Sequence, residues 1–233
     1  MTKEKLKSIG RFAFEFLSIF IGVFAAFALD NWNDKRKDQI TEIKILGEIN
    51  NGLKQDIKDI TLNELGHKQG LRAVAFFEQL LLNQHPKTDS TFYHYFYVVR
   101  DFISVQNVSG YETLKSKGLE IVENDSLRTE LLSLYENDYN TVRKLEESYP
   151  EMQFFAHYFQ TFNNVLAPNF ILNEKGRVIG INDPLRLSEK DRKILFSILW
   201  KIKNNRNFIL SNYKDVKSKI VKLQKSLEVE LRR

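Results

Sequence analysis

The sequence predicts a mainly α protein: one N-terminal transmembrane helix, then a helical-bundle soluble domain with long, coiled-coil-like first and last helices and a minor β-hairpin. Three observations carry that prediction. An apolar run near the N-terminus is long enough to cross a bilayer. Two stretches far apart in the chain repeat apolar residues at spacings of three and four. And only 10 Gly and 4 Pro in 233 residues leave little of the punctuation that a many-turned β fold needs. The chain divides into a basic segment over 1–11, the span over 12–29, a juxtamembrane anchor over 30–37 and the soluble domain over 38–233. Its length suits one anchor and one domain, and 18 Phe with 9 Tyr supply core material.

Lys3, Lys5, Lys7 and Arg11 precede the apolar run, which only Glu15 and Ser18 interrupt. From 12 to 29, at about 1.5 Å per residue, a helix reaches about 27 Å, close to the hydrocarbon thickness of a bilayer. Trp32 follows at interface depth, and Arg11 on one side with Lys35, Arg36 and Lys37 on the other are headgroup anchors. A cleaved signal peptide is the competing reading, because Ala26-Phe27-Ala28 satisfies the small-x-small rule. The acid within the run and the helical periodicity that continues past it favour an anchor.

Around the span, Glu15, Ser18, Gly22, Ala26 and Leu29 share one face, while Phe12, Phe16, Phe20, Phe24 and Phe27 cover the other. Small residues let a second helix approach closely. Glu15, Ser18, Gly22 and Ala26 are therefore a candidate interface for a homo-oligomer or a membrane-protein partner, with the Phe face toward lipid. Glu15 itself reads either as an intramembrane carboxylate for an ion or proton path, or as an edge residue that snorkels and pairs with Arg11. Its place one turn inside the span favours the second. Four basic residues before the span and three after it give a slight bias toward a cytoplasmic N-terminus and a domain outside.

In the soluble part, Ile43, Leu46, Asn50, Leu53, Ile57 and Ile60 form a heptad seam, with Asn50 as its polar core position and a candidate for coiled-coil specificity. A second seam runs through Leu195, Leu199, Ile202, Ile209, Tyr213, Val216, Ile220, Leu223 and Leu227, broken only by Arg206. Ser188 caps that helix, with Asp191 at the capping-box position. The two seams can pair between chains or, as expected of a compact domain, inside one antiparallel bundle that returns the basic C-terminal end toward the membrane. Between them, 71–82 reads as helix ended by His85-Pro86, and 92–103 as helix from context. A short helix over 111–117 is stopped by Gly118. Asp125 or Ser126 caps a helix running through Leu145, Pro150 suits the first turn of the next, and 170–172 with 178–181 read as a hairpin.

Three stretches resemble a large family of uncharacterised bacterial membrane proteins with one N-terminal span. They are Glu15 with the apolar run holding Gly22, Ala25 and Ala26; Asp30-Asn31-Trp32-Asn33-Asp34-Lys35-Arg36-Lys37; and Tyr111-Glu112-Thr113-Leu114-Lys115-Ser116-Lys117-Gly118 with the helix after it. The likeness runs from 15 to about 140. It implies a single-pass protein of the bacterial inner membrane and brings no activity, cofactor or catalytic residue.

Chemistry is sparse. No Cys is present, which excludes disulfides, thiolate metal sites and cysteine nucleophiles. His67, His85, His94 and His157 are scattered, and no phosphate loop or nucleophile elbow occurs. Glu146 and Glu147 are adjacent in a helix and point to different faces, which argues against a paired acid/base site. The Lys-rich last helix lacks interleaved aromatics for base stacking, so no nucleic-acid partner is expected, and no cofactor or metal. The expected function is a membrane-anchored helical scaffold or interaction protein, with the lipid bilayer and a second copy or membrane partner as its contacts. An ion- or proton-conducting complex using Glu15 is the alternative. A ligand sensor requires a pocket between the aromatic clusters of 92–97 and 154–162.

Overall fold

A single helix, α1 (Lys3–Leu81), carries the apolar run and the first seam without a break, a rod of about 118 Å at 1.5 Å per residue. The structure is a computed structural model that describes residues 3–86 and 91–232, without the side chains of 3–13 and of Glu15. Over 14–40 every described side chain on α1 is exposed. From Glu42 onward one face turns inward, burying Leu46, Ile49, Leu53 and Ile60. The change comes where α7 (Glu189–Glu230) ends beside α1.

These two helices pack antiparallel. Arg192 donates to the Leu81 carbonyl, Lys203 meets Glu78 at 3.1 Å and Lys217 meets Glu64 at 3.0 Å, while Glu230 shares a crevice with Gln39 and Ile43. The seams therefore pair inside the chain. All nine apolar positions expected on the last helix are buried, and Arg206 with them. On the first, Leu46, Asn50, Leu53 and Ile60 are buried and Ile57 is half-buried, but Ile43 is exposed. It stands at the rim, where Glu42 and Ile45 take the inward positions. The last seam ends about 15 Å of helix beyond Leu29, the distance from Leu29 to Gln39 on α1.

The stretch 71–82 is no separate helix but the end of α1, and Gly66 and Gly70 do not interrupt it. They are small for a reason of packing: a Cβ at Gly66 would collide with the Phe102 ring, and one at Gly70 with the Arg206 guanidinium. The helix ends ahead of His85-Pro86, as that stop predicts, and the chain leaves it through Asn83 and His85, both at positive φ.

Next, α2 (Thr91–Val98) ends five residues short of the expected 103, and 99–108 runs largely without regular structure. α3 (Ser109–Lys117) stops at Gly118, whose φ of 100° suits glycine. Asn124, one residue before the expected cap, accepts from the Leu127 N–H at 3.2 Å and starts α4 (Asp125–Leu132). A wide turn over Ser133–Asp138 joins α4 to α5 (Tyr139–Glu147). Pro150 opens a short turn, and a second wide turn, Phe155–Phe159, leads into α6 (Gln160–Leu166). β1 (Phe170–Leu172) and β2 (Val178–Ile181) pair antiparallel with Phe170 opposite Ile181, as the hairpin reading expects. Ser188 caps α7 by accepting from the Asp191 N–H at 3.1 Å.

Candidate functional site

Two features stand out, one bare and one buried. The bare one is the N-terminal part of α1. Its apolar window has a mean hydropathy of 1.4 and none of it is buried, so this is a helix long and apolar enough to cross a membrane. Phe16, Phe20 and Phe24 stack in a row, each pair of rings 6.4 Å apart, along the side assigned to lipid. On the other side the Ser18 hydroxyl donates back to the Phe14 carbonyl at 2.8 Å, so it needs no outside partner. Gly22 has nothing within 4 Å of where a Cβ would be, and Ala26 is exposed. Trp32, Lys35 and Arg36 are exposed, and Lys37 pairs with Asp34 at 3.0 Å. The side chains of Arg11 and Glu15 lie outside the described residues, so no contact of either is placed. Asn50 is buried within the chain's own domain rather than on an outer face.

The stripe of Ser18, Gly22, Ala26 and Leu29 continues at spacings of three and four through Asn33, Arg36, Ile40, Ile43 and Gly47. Throughout, it stays on the side of α1 turned from the core. Ile40 is 60% exposed and Ile43 47%, a Cβ at Gly47 would meet nothing, and farther along Leu62 and Leu65 are also exposed.

The buried feature is a set of charged side chains that grip the irregular segment 99–108. Backbone outside helices and sheets must find partners elsewhere when it is buried. Arg206, fully buried, donates to the carbonyls of Tyr97 (3.1 Å), Val98 (3.1 Å) and Arg100 (2.9 Å), and its other terminal nitrogen lies 3.0 Å from His67 Nδ1. Phe154 lies beneath its guanidinium at 4.4 Å. Burial, and then the neighbouring Arg206 charge, push His67 down to about 3, so it stays neutral and can accept. Burial also lowers Arg206 to about 9, against the opposing pull of Asp101.

Acids hold the N–H groups of the same segment. Glu146 accepts from the Ser104 N–H (3.1 Å), the Ser104 hydroxyl and the Tyr213 hydroxyl. Asp56 accepts from the Asn107 N–H (2.7 Å) and the Tyr139 hydroxyl (2.6 Å), and Asp59 from the Val105 N–H (2.8 Å). Burial raises Glu146 to about 7 in spite of its three donors, and raises Asp56 in the same direction. These contacts are why α2 stops early: its last carbonyls bond to Arg206, and the following N–H groups bond to α1 and α5.

Sequence reasoning saw Arg206 only as a flaw in a seam. Its role was signalled there, since a charge at a core position requires partners. Glu146 and Glu147 do point apart, one buried and one exposed, but nothing local links Glu146 to Ser104. Chemically the cluster is a buried anchor with one carboxyl, Glu146, that burial pushes up to about 7. Among the described residues, no group of three His, Asp or Glu side chains could hold a metal ion. The aromatic clusters of 92–97 and 154–162 do face each other, across a groove of about 450 Å³.

The fold and these features define a helical protein in which one rod combines a bare apolar segment with the first helix of a charge-anchored bundle. The chain belongs to a family of unknown function (DUF6090), whose pattern matches residues 15–167. The match reaches past the expected limit near 140 to the end of α6 and leaves out the hairpin and α7. No curated protein and no solved structure matches the chain.

Proposed function

We propose that this protein is a single-span scaffold of a bacterial inner membrane whose copies associate side by side along the outward face of α1. The observation that carries the reading is the unbroken stripe from Ser18 to Ile43, open in the apolar segment and exposed beyond it. Copies inserted in the same direction present parallel α1 helices. A two-fold axis along the membrane normal then sets this stripe against itself, small residues in the bilayer and Ile40 with Ile43 above it. Because span and domain share one helix, pairing of the spans also fixes how the domains stand relative to one another. The slight excess of basic residues before the span, four against three, supports a cytoplasmic N-terminus and a periplasmic domain in this reading.

A chain without Cys makes single-cysteine crosslinking clean. Ala26→Cys and Ile43→Cys should each give crosslinked dimers in native membranes, and Phe24→Cys, on the opposite side, should not. Adding Gly22→Leu should reduce both products. A protein that yields no dimer from either outward position is a monomer along this face, and the scaffold reading fails.

A further inference from the structure

The groove between α2 and the wide turn before α6 has the composition of a small-molecule site. Phe92, Tyr95, Phe96 and Val99 form one wall, Phe155 and Phe159 the other, around about 450 Å³. That volume lies within the range of pockets that take drug-sized ligands. Phe155 and Phe159 stack with ring centres 4.6 Å apart. Yet Phe92 and Phe155 are 58% and 56% exposed, so large rings face water around a single concavity.

Two polar side chains complete the lining, and they differ. Asp101 is committed: its carboxylate accepts from the N–H groups of Phe154 (2.7 Å) and Phe155 (3.3 Å) and so closes the start of that helical stretch. Arg100 is uncommitted. Its guanidinium lies 4.4 Å over the Phe96 ring and 5.9 Å from the Phe102 ring, and none of the ion pairs among the described residues involves it. The backbone that carries it is held firmly, because fully buried Arg206 binds the carbonyls of Tyr97, Val98 and Arg100 from below. A preformed apolar cleft that carries an available cation, Arg100 among the described residues of its lining, selects for an opposite charge on an apolar body.

We propose that this groove binds an amphipathic monoanion, an aromatic or acyl carboxylate whose body lies among the Phe rings and whose acid group meets Arg100. The site stands beside the far end of α1, where His94 stacks on Phe76 and Phe162 meets Phe77. That is roughly 70 Å of helix from Leu29, so with α1 anchored the ligand is one that diffuses in water, not a lipid held in the bilayer.

The test is calorimetric titration of the full chain in lipid nanodiscs with 2-naphthoate and with octanoate, empty nanodiscs serving as the blank. At least one anion should bind saturably at one site per chain. Its neutral analogue, 2-naphthylmethanol or octanol, should bind about tenfold more weakly or worse. Arg100→Gln and Phe155→Ala each remove an exposed side chain; each should weaken binding about tenfold and leave thermal unfolding in place. Absence of saturable binding by both anions overturns the proposal. So does equal binding of the neutral analogue, or undiminished affinity in both variants.

Discussion

The two halves of α1 are built from the same helix but follow opposite rules. Below residue 40 large apolar side chains face outward, Phe16 and Phe27 each 71% exposed, and among the described residues none of the domain covers them. Beyond Glu42 the helix is wrapped by the domain, and its buried side includes Asp56 and His67, with Arg206 from α7 against His67. Greasy residues outside and charges inside are each unfavourable in water, where apolar area costs about 25 cal/mol per Å² and an unpaired buried charge several kcal/mol. The apolar window of the bare half is long and apolar enough for hydrocarbon to serve as its solvent. The covered half makes sense because an irregular segment crosses the interior and its backbone groups need strong partners. Exposure alone therefore does not tell how well a residue is placed; the surrounding medium decides.

The contrast can be broken first at Arg206. Arg206→Met leaves three carbonyls and His67 without their donor, and unfolding of the full chain in detergent micelles should show a loss of about 3–5 kcal/mol. Arg206→Lys should recover little, since a single ammonium cannot reach three carbonyls as a guanidinium does. A loss below about 1 kcal/mol for Arg206→Met would mean that those carbonyls find other partners.

The next test makes one substitution in each environment. Gly70→Ala forces a methyl group against the Arg206 guanidinium and should destabilise by about 1–3 kcal/mol. Gly47→Ala meets open space, so the ordinary helix preference for Ala should apply and add about 0.5–1 kcal/mol. Equal signs in the two would show that the close approach at Gly70 relaxes freely.

Smaller effects come from pH. Glu146 titrates near 4.5 when unfolded and about 7 when folded, so folding takes up a proton and its contribution is lost as pH rises through that window. His67 runs the other way: ordinarily 6.5 and about 3 when folded, its contribution is complete above 6.5 and lost as pH falls. Between 4.5 and 6.5 the two slopes oppose each other. Glu146→Gln should leave the His67 slope alone, so that stability rises with pH there by up to about 1.4 kcal/mol per unit. An unchanged profile would remove Glu146 as the balancing group. The smallest effect is expected on the outer face, where Leu62→Ser with Leu65→Ser should change unfolding by no more than about 0.5 kcal/mol, a larger loss revealing a hidden contact.

What the sequence by itself determined is whatever depends on neighbours within a turn or two. The apolar run, the nine buried positions of the last seam, the Ser188 cap, the Gly118 stop and the 170–181 hairpin are all local patterns, readable from spacing. Ile43 misled because a periodic pattern does not show where its partner helix ends. Tertiary structure alone decided that α1 continues through Gly66 and Gly70, that α2 stops at Val98, and that Arg206, His67 and Glu146 meet around one segment. Arg206 and His67 are 139 residues apart, and Ser104 and Glu146 42. Side chains so distant leave no trace in local periodicity; they are brought together only when the two long helices pack and trap backbone that needs them.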